Sequence, residues 1–206
     1  MKISTATIAP ALAAGTVAAV ITATMATAPQ APPVRPGTNI GPLPTVASVD
    51  LTQYGGRWYE LARLPVRFQN QKSVSTADYS LNPDGSVKVV NTAWLGDRVS
   101  ARITGKATSV NAPENSRLRV RFGGLLRFIP TPKEGNYWVI DLKKDYSMAM
   151  VGTPDRRFLW LLARDKNAWS TAAAATMVER ARDLGFDTSR LQVADWEKGM
   201  IRPSGA

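Results

Sequence analysis

The chain has 206 residues, enough for one domain with a substantial core, and it contains neither Cys nor His. The absence of Cys excludes disulfides and thiol chemistry, and the absence of His removes the commonest general base and metal ligand. The formal net charge is +10, and such a surface either favours anionic partners, such as nucleic acid, anionic lipid or an acidic cell wall, or serves solubility alone.

The first 28 residues are typical of a secretory signal peptide. Lys2 precedes an uncharged stretch over residues 3–26, and residues 26–28 (Ala-Thr-Ala) have the small-x-small form of a cleavage site. The alternative is an uncleaved membrane anchor, for which the length suffices but Pro10 and the Ala/Thr content are unfavourable. We therefore expect export, to the periplasm or the medium. No Cys follows the apolar stretch, so a cysteine-anchored lipoprotein is excluded.

Residues 29–48 hold six Pro and almost no charge, which indicates an extended linker. We expect the fold to begin near Val49 and to span residues 49–196. Residues 197–206 would then form a C-terminal tail.

Eight short apolar segments separated by turn signals predict eight β-strands. Asn82-Pro83-Asp84-Gly85 is the clearest of these turns, because Pro presets φ and Gly takes the position with positive φ. The predicted strands are 56–64, 74–81, 86–94, 99–110, 116–122, 137–143, 146–152 and 157–164. Strands of similar length with short connections predict an all-β fold, an eight-stranded up-and-down antiparallel β-barrel.

The fifth predicted strand alternates cations with apolar residues. Arg117, Arg119 and Arg121 are separated by Leu118 and Val120. Since successive side chains point to opposite faces, we expect the arginines to face water.

A C-terminal α-helix is predicted after the eighth strand. Ser170 is its expected N-cap and Gly185 its expected C′ residue. Its apolar stripe consists of Ala174, Met177, Val178, Ala181 and Leu184. The eighth strand is apolar on both faces, so we expect this helix to pack outside the barrel and cover one of them. Residues 191–196 favour one more short strand.

Trp58 begins the first strand and Arg164 ends the eighth. In a closed barrel these positions are neighbours, so the two side chains are expected to stack and plug one end. A barrel closed at one end is a container for a small molecule.

The motif Gly56-x-Trp58-Tyr59-Glu60, combined with Arg164, eight strands and the helix, resembles the lipocalin family over about residues 50–195. Residues 137–140 (Tyr-Trp-Val-Ile) and 152–156 (Gly-Thr-Pro-Asp-Arg) resemble the bacterial outer-membrane lipocalins and apolipoprotein D within it. The resemblance implies binding of a fatty acid or lysophospholipid. One departure is Lys144-Asp145-Tyr146, where the family usually has Thr-Asp-Tyr.

Strand alternation and the resemblance together select the expected interior. Alternation from Trp58 places Glu60, Ala62 and Leu64 inside, and alternation from Arg164 places Trp160 inside. The resemblance implies that Tyr79, Asn91 and Trp138 line the pocket, and Ile140 follows Trp138. The predicted ligand-binding residues are Glu60, Tyr79, Asn91, Trp138, Ile140 and Trp160. The alternative is that these side chains only fill a small barrel, a structural role that we expect for Gly56, Trp58 and Arg164.

The loops at the predicted open end carry apolar residues beside cations. The candidate membrane-facing residues are Phe68, Leu125, Leu126 and Phe128. Such a rim suits an anionic membrane surface. The alternative is that residues 123–135 fold inward as a lid.

An enzymatic function is not expected, because no catalytic residues, metal ligands or cofactor motif are recognised. The alternative is an enzyme that modifies a lipid or isoprenoid on a lipocalin-type barrel. Nucleic-acid binding is disfavoured, since the cationic strand lacks interleaved exposed aromatics. The expected partners are therefore a small hydrophobic ligand and an anionic membrane surface, with the oligomeric state left open.

Overall fold

The computed structural model describes residues 41–66, 72–124, 128 and 130–203, which fold into ten strands and two α-helices. The elements are α1 (Leu51–Tyr54), β1 (Gly56–Arg63), β2 (Val74–Leu81), β3 (Val87–Leu95), β4 (Arg98–Ser109), β5 (Arg117–Phe122), β6 (Tyr137–Leu142), β7 (Met148–Gly152), β8 (Leu159–Ala163), α2 (Ala172–Asp183), β9 (Gln192–Asp195) and β10 (Met200–Pro203). None of the helices in these ranges is long and apolar enough to cross a membrane.

The first eight strands form the predicted antiparallel barrel. Each strand pairs with the next along the chain, and β8 returns to pair with β1, which closes the sheet. Every predicted strand is present within two residues of its expected ends. β9 confirms the short strand expected after the helix, whereas β10 lies in the segment that we had assigned to the tail.

β1 holds the barrel together by pairing with three strands. Its first half pairs with β2, its second half pairs with β8, and Ala62 and Arg63 also pair with β9. Between Glu60 and Ala62 the register against β8 shifts by one residue, which marks a β-bulge at Leu61. The bulge reverses the facing of every later residue in the strand.

The wall of the barrel separates two apolar clusters. The inner cluster fills the lower lumen and includes Trp58, Tyr79, Val89, Val120 and Leu162. The outer cluster lies between the wall and α2, where the helix contributes Ala174, Met177 and Ala181 and the wall contributes Met150 and Leu161. β8 supplies alternate residues to both clusters, so the predicted outside helix is confirmed.

α2 begins one residue later than expected. Its N-cap is Thr171, whose Oγ1 accepts from Ala174 N at 3.3 Å, and not Ser170. Ser170 instead ends a 3₁₀ turn over Ala168–Ser170. Gly185 follows the helix with φ +87°, the left-handed conformation that favours glycine.

Packed structure begins before Val49. Leu43 is buried in the outer cluster, and Val46 N donates to Val139 O at 3.0 Å. Arg156 Nη2 also donates to Gly41 O at 2.7 Å. The last part of the expected linker is therefore attached to the barrel.

Candidate ligand-binding site

Trp58 and Arg164 close the floor of the barrel. The Arg164 guanidinium carbon lies 3.8 Å from the centroid of the Trp58 ring. Arg164 also donates to three carbonyls, those of Arg57 at 2.7 Å, Gln53 at 2.9 Å and Tyr146 at 3.4 Å. Gly56 is adjacent, because a Cβ there would lie 3.4 Å from Arg164 Nη1. The cation thus ties α1, β1 and the β6–β7 turn together beneath the lumen.

Three tyrosines form a hydrogen-bonded cluster above this floor. The Tyr137 hydroxyl lies 2.8 Å from that of Tyr54 and 3.1 Å from that of Tyr79, and the Tyr54 and Tyr79 rings stack at 5.8 Å. Burial raises the pKa of all three, that of Tyr79 to about 12. Two bonds among three hydroxyls leave one O–H hydrogen without an acceptor in the described residues.

The lumen wall changes from buried to accessible with height. Near the floor, inward side chains such as Val89, Ala107 and Leu118 are buried. Higher on the wall the inward side chains are partly exposed, as are Ala77, Asn91, Ile103, Phe122 and Trp160. An inward side chain can be reached by solvent only across open space, so the upper lumen is an open, mostly apolar space.

Asn91 is a polar residue on this wall. It lies on β3 opposite Ala77, with Ile103 on its other side, so it shares the inward face. Its Oδ1 is buried and accepts no hydrogen bond from the described residues. A buried amide oxygen without a donor is unfavourable by about 1–3 kcal/mol, and a ligand hydroxyl or a water molecule would relieve this cost.

Glu60 faces inward as expected, but its partner is a residue that alternation placed outside. Arg63, which is fully buried, forms an ion pair with Glu60 and donates to Ser73 O at 3.3 Å. The bulge at Leu61 turns Arg63 inward and turns Ala62 and Leu64 into the outer cluster, which corrects the expectation for those two residues. No sequence signal that we recognised marks this bulge.

Trp138 and Ile140 lie outside the lumen, contrary to the expectation. Both belong to the outer cluster beside α2, and Arg117 stacks on the Trp138 ring at 4.3 Å. Their strand neighbours Tyr137 and Val139 face inward instead. The pairing of Trp138 with Arg117 indicates this placement, because Arg117 is expected on the outer face and residues directly opposite each other share a face.

Of the other predicted residues, two face the lumen, one lies at the rim and three fall outside the described residues. Tyr79 and Trp160 face the lumen, and Trp160 stacks on Phe158 with ring centroids 6.0 Å apart. At the rim, Phe128 is 70% exposed. Phe68, Leu125 and Leu126 lie outside the described residues. In the described ranges no group of three Asp or Glu side chains is arranged to hold a metal ion.

Comparisons with known proteins agree on one family. The sequence model of the lipocalin-like domain matches residues 49–195. The chain is 36% identical over 149 residues to temperature-induced lipocalin-1 of Arabidopsis thaliana, covering 71% of this chain and 78% of that protein. It is 37% identical over 146 residues to outer membrane lipoprotein Blc of Escherichia coli K12, covering 70% and 78%.

A solved structure shows the same fold at lower sequence identity. Insecticyanin from Manduca sexta superposes with a TM-score of 0.50 at 17% identity, covering 78% of this chain and 87% of that chain.

Proposed function

The chain belongs to the lipocalin family, and from that premise we propose that it binds a small hydrophobic ligand of the fatty acid or lysophospholipid class in the barrel lumen. The observation that carries this proposal is the wall above the floor, where inward apolar side chains border open space. Each methylene buried there contributes about 0.8 kcal/mol, so an acyl chain gains affinity without directed contacts.

The polar groups of the lumen support an amphipathic ligand over a pure hydrocarbon. Asn91 Oδ1 needs a donor, and the tyrosine cluster has one hydrogen to donate. A ligand hydroxyl or glycerol group can donate to Asn91 Oδ1, and a ligand carboxylate or hydroxyl can accept from the tyrosine cluster. Glu60 and Arg63 neutralise each other, so this pair adds no net charge to the lumen wall.

A location in the cell envelope fits this function. One relative is named an outer membrane lipoprotein, and residues 1–28 have the composition of an export signal. This chain contains no Cys, so we propose that it acts in the envelope without a lipid on an N-terminal cysteine. We further propose that it acts as a carrier and not as an enzyme, and the absence of turnover of a bound lipid would support this.

Native mass spectrometry of the gently purified protein tests the ligand, because a retained lipid is identified by its mass. A matched pair of variants locates it. Ile103→Trp places an indole in the upper lumen, whereas Ala175→Trp places one on the exposed side of α2. We expect only the first to abolish lipid retention. Equal retention by both variants would contradict a lumenal site.

A further inference from the structure

We propose that the outward face of β3, β4 and β5, with the apolar side chains at the mouth end of these strands, docks the protein on an anionic lipid bilayer. This inference does not depend on the lumenal function. The three strands contain one, three and three cationic residues and no Asp or Glu. The cations on the outward face are Lys88, Arg102, Lys106, Arg117, Arg119 and Arg121, whereas a register shift places Arg98 opposite Leu95 at the mouth end.

Three of these cations form a row across the sheet. Lys88 lies directly opposite Lys106, and Lys106 lies directly opposite Arg121. Adjacent strands are about 4.8 Å apart, and like charges directly opposite one another destabilise a sheet. Asp84 offsets part of this repulsion, since Lys106 Nζ donates to its Oδ2 at 2.7 Å. Solubility alone would be served as well by balanced charges, so the excess of cations favours an anionic partner.

The segment before β6 lies along the same face and adds to it. Arg119 Nε donates to Pro132 O at 3.0 Å, and Arg121 Nε donates to Thr131 Oγ1 at 3.3 Å. These bonds hold the exposed Lys133 near β5, together with one exposed acid, Glu134. α2 covers the opposite side of the barrel, where it packs on β6, β7 and β8. On the cationic face Lys88, Arg102, Lys106 and Arg121 are exposed and can meet a partner.

Exposed apolar residues mark the mouth end of this face. Of the five large hydrophobic residues exposed in the described ranges, three lie beside mouth-end turns of β3, β4 and β5, and a fourth, Met200, lies beside the β9–β10 turn. Leu95 (40% exposed), on the lumenal side of β3, and Val99 (48%), on the outward side of β4, flank the β3–β4 turn, and Phe128 (70%) follows β5. Met200 (44%) starts β10, whose turn is joined to the β3–β4 turn by Gly96 N donating to Gly199 O at 3.1 Å.

The combination of cations with exposed apolar side chains favours a bilayer over a soluble polyanion as the partner. A polymer of phosphates or sulfates would neutralise the cations but would leave the apolar side chains in water. A bilayer accepts both, because headgroups meet the cations while apolar side chains enter the boundary with the acyl chains. In this orientation the β3–β5 side of the barrel lies against the membrane, with the mouth at one edge of the contact.

Co-sedimentation with vesicles tests the proposal on the full protein. The vesicles consist of phosphatidylcholine alone or of phosphatidylcholine with phosphatidylglycerol. We expect binding only to the anionic vesicles, decreasing as salt is added. Each Lys or Arg near an anionic leaflet contributes about a five-fold factor. Lys88→Gln with Arg121→Gln should therefore weaken partitioning on the order of twenty-fold.

A second pair of variants controls for net charge. Lys166→Gln with Arg190→Gln removes two exposed cations from segments that adjoin α2, and we expect partitioning to change little. Leu95→Ser with Val99→Ser should weaken the binding that persists at high salt. All substituted side chains are exposed, and thermal unfolding verifies that each variant folds. Equal losses in both charge pairs, equal binding to both vesicles, or retention on heparin without vesicle binding would each overturn the proposal.

Discussion

Glu60 and Arg63 lie three residues apart on β1 and form an ion pair inside the barrel. Regular alternation would put them on opposite faces of the sheet. The extra residue at Leu61 brings both to the lumenal face, where Glu60 pairs across the sheet with Leu162 and Arg63 with Trp160. Since Arg63 is fully buried, the two charges depend on each other for their stability.

Removing one member of this pair should cost more than removing both. Arg63→Met leaves a buried carboxylate without the guanidinium, which we expect to lower the free energy of unfolding by about 3–5 kcal/mol. Glu60→Leu combined with Arg63→Met leaves no buried charge, so its loss should be smaller. Urea denaturation of the three proteins measures the difference. A double variant less stable than Arg63→Met would contradict the account.

Arg164 should be the most sensitive position of the floor. Arg164→Ala removes the stack on Trp58 and the donors to three carbonyls, and hydrogen bonds to a charged group contribute about 1.5–3 kcal/mol each. Because Arg164 is partly exposed, water replaces part of these interactions, and we expect a loss of about 3 kcal/mol in urea denaturation. Arg182→Ala, at an exposed position of α2, is the control and should change stability little.

Stability should fall in strong base because of the tyrosine cluster. Burial raises the pKa of Tyr79 to about 12, against about 10 in the unfolded chain. The folded protein holds this proton more tightly, so the stabilisation is complete below about pH 10 and is lost as the pH rises towards 12. Tyr79→Phe should flatten the decline in a series of denaturation curves. A decline of the same steepness in both proteins would contradict the assignment.

Ligand binding should be reported by Trp160 and not by Trp138. Trp160 faces the lumen, whereas Trp138 lies under Arg117 in the outer cluster. We expect a lumenal quencher, such as a brominated fatty acid, to reduce the fluorescence of the wild type and of Trp138→Phe. Trp160→Phe should lose most of this quenching. The reverse pattern would show that the ligand binds outside the lumen.

Asn91→Leu should separate protein stability from ligand preference. It removes a buried amide oxygen that accepts no hydrogen bond, so the free energy of unfolding should stay equal or rise by about 1 kcal/mol. The affinity for a fatty alcohol should fall about ten-fold, since a hydrogen bond is lost, while that for an alkane of equal length should not fall. Calorimetry with both ligands measures this. Equal losses for the two ligands would exclude recognition by the amide.

The eight barrel strands, their ends, the closing contact and the outside helix could all be predicted, because they rest on local patterns and on one topological constraint, whereas β10 was not predicted. Turn signals delimit strands, and closure of an eight-stranded barrel makes Trp58 and Arg164 neighbours. The inward and outward assignments could not all be predicted, since Ala62, Leu64, Trp138 and Ile140 lie in the outer cluster. A single inserted residue reverses them, and the bulge at Leu61 arises from pairing with β8, which no local pattern encodes.

The error at Trp138 has a different cause. The large apolar side chains of Tyr137 and Trp138 each suit a lumen, so composition alone could not choose between them. The choice depends on the register of β6 against β5, where Leu118 opposes Tyr137 and Arg117 opposes Trp138. Arg117 had been placed facing water, and carrying that assignment across the strand pair would have put Trp138 outside.

The seam between β1 and β8 also governs how the chain reaches its fold. Arg164 and Arg57, which meet there, are 107 residues apart. Contacts of such separation form late, since a long loop must be ordered before they are made, so this protein belongs among the slow folders. A nascent chain lacking β8 leaves one edge of β1 unpaired and the Trp58 indole without its cover. Until β8 pairs, this edge of β1 is therefore available to pair with a strand of another chain.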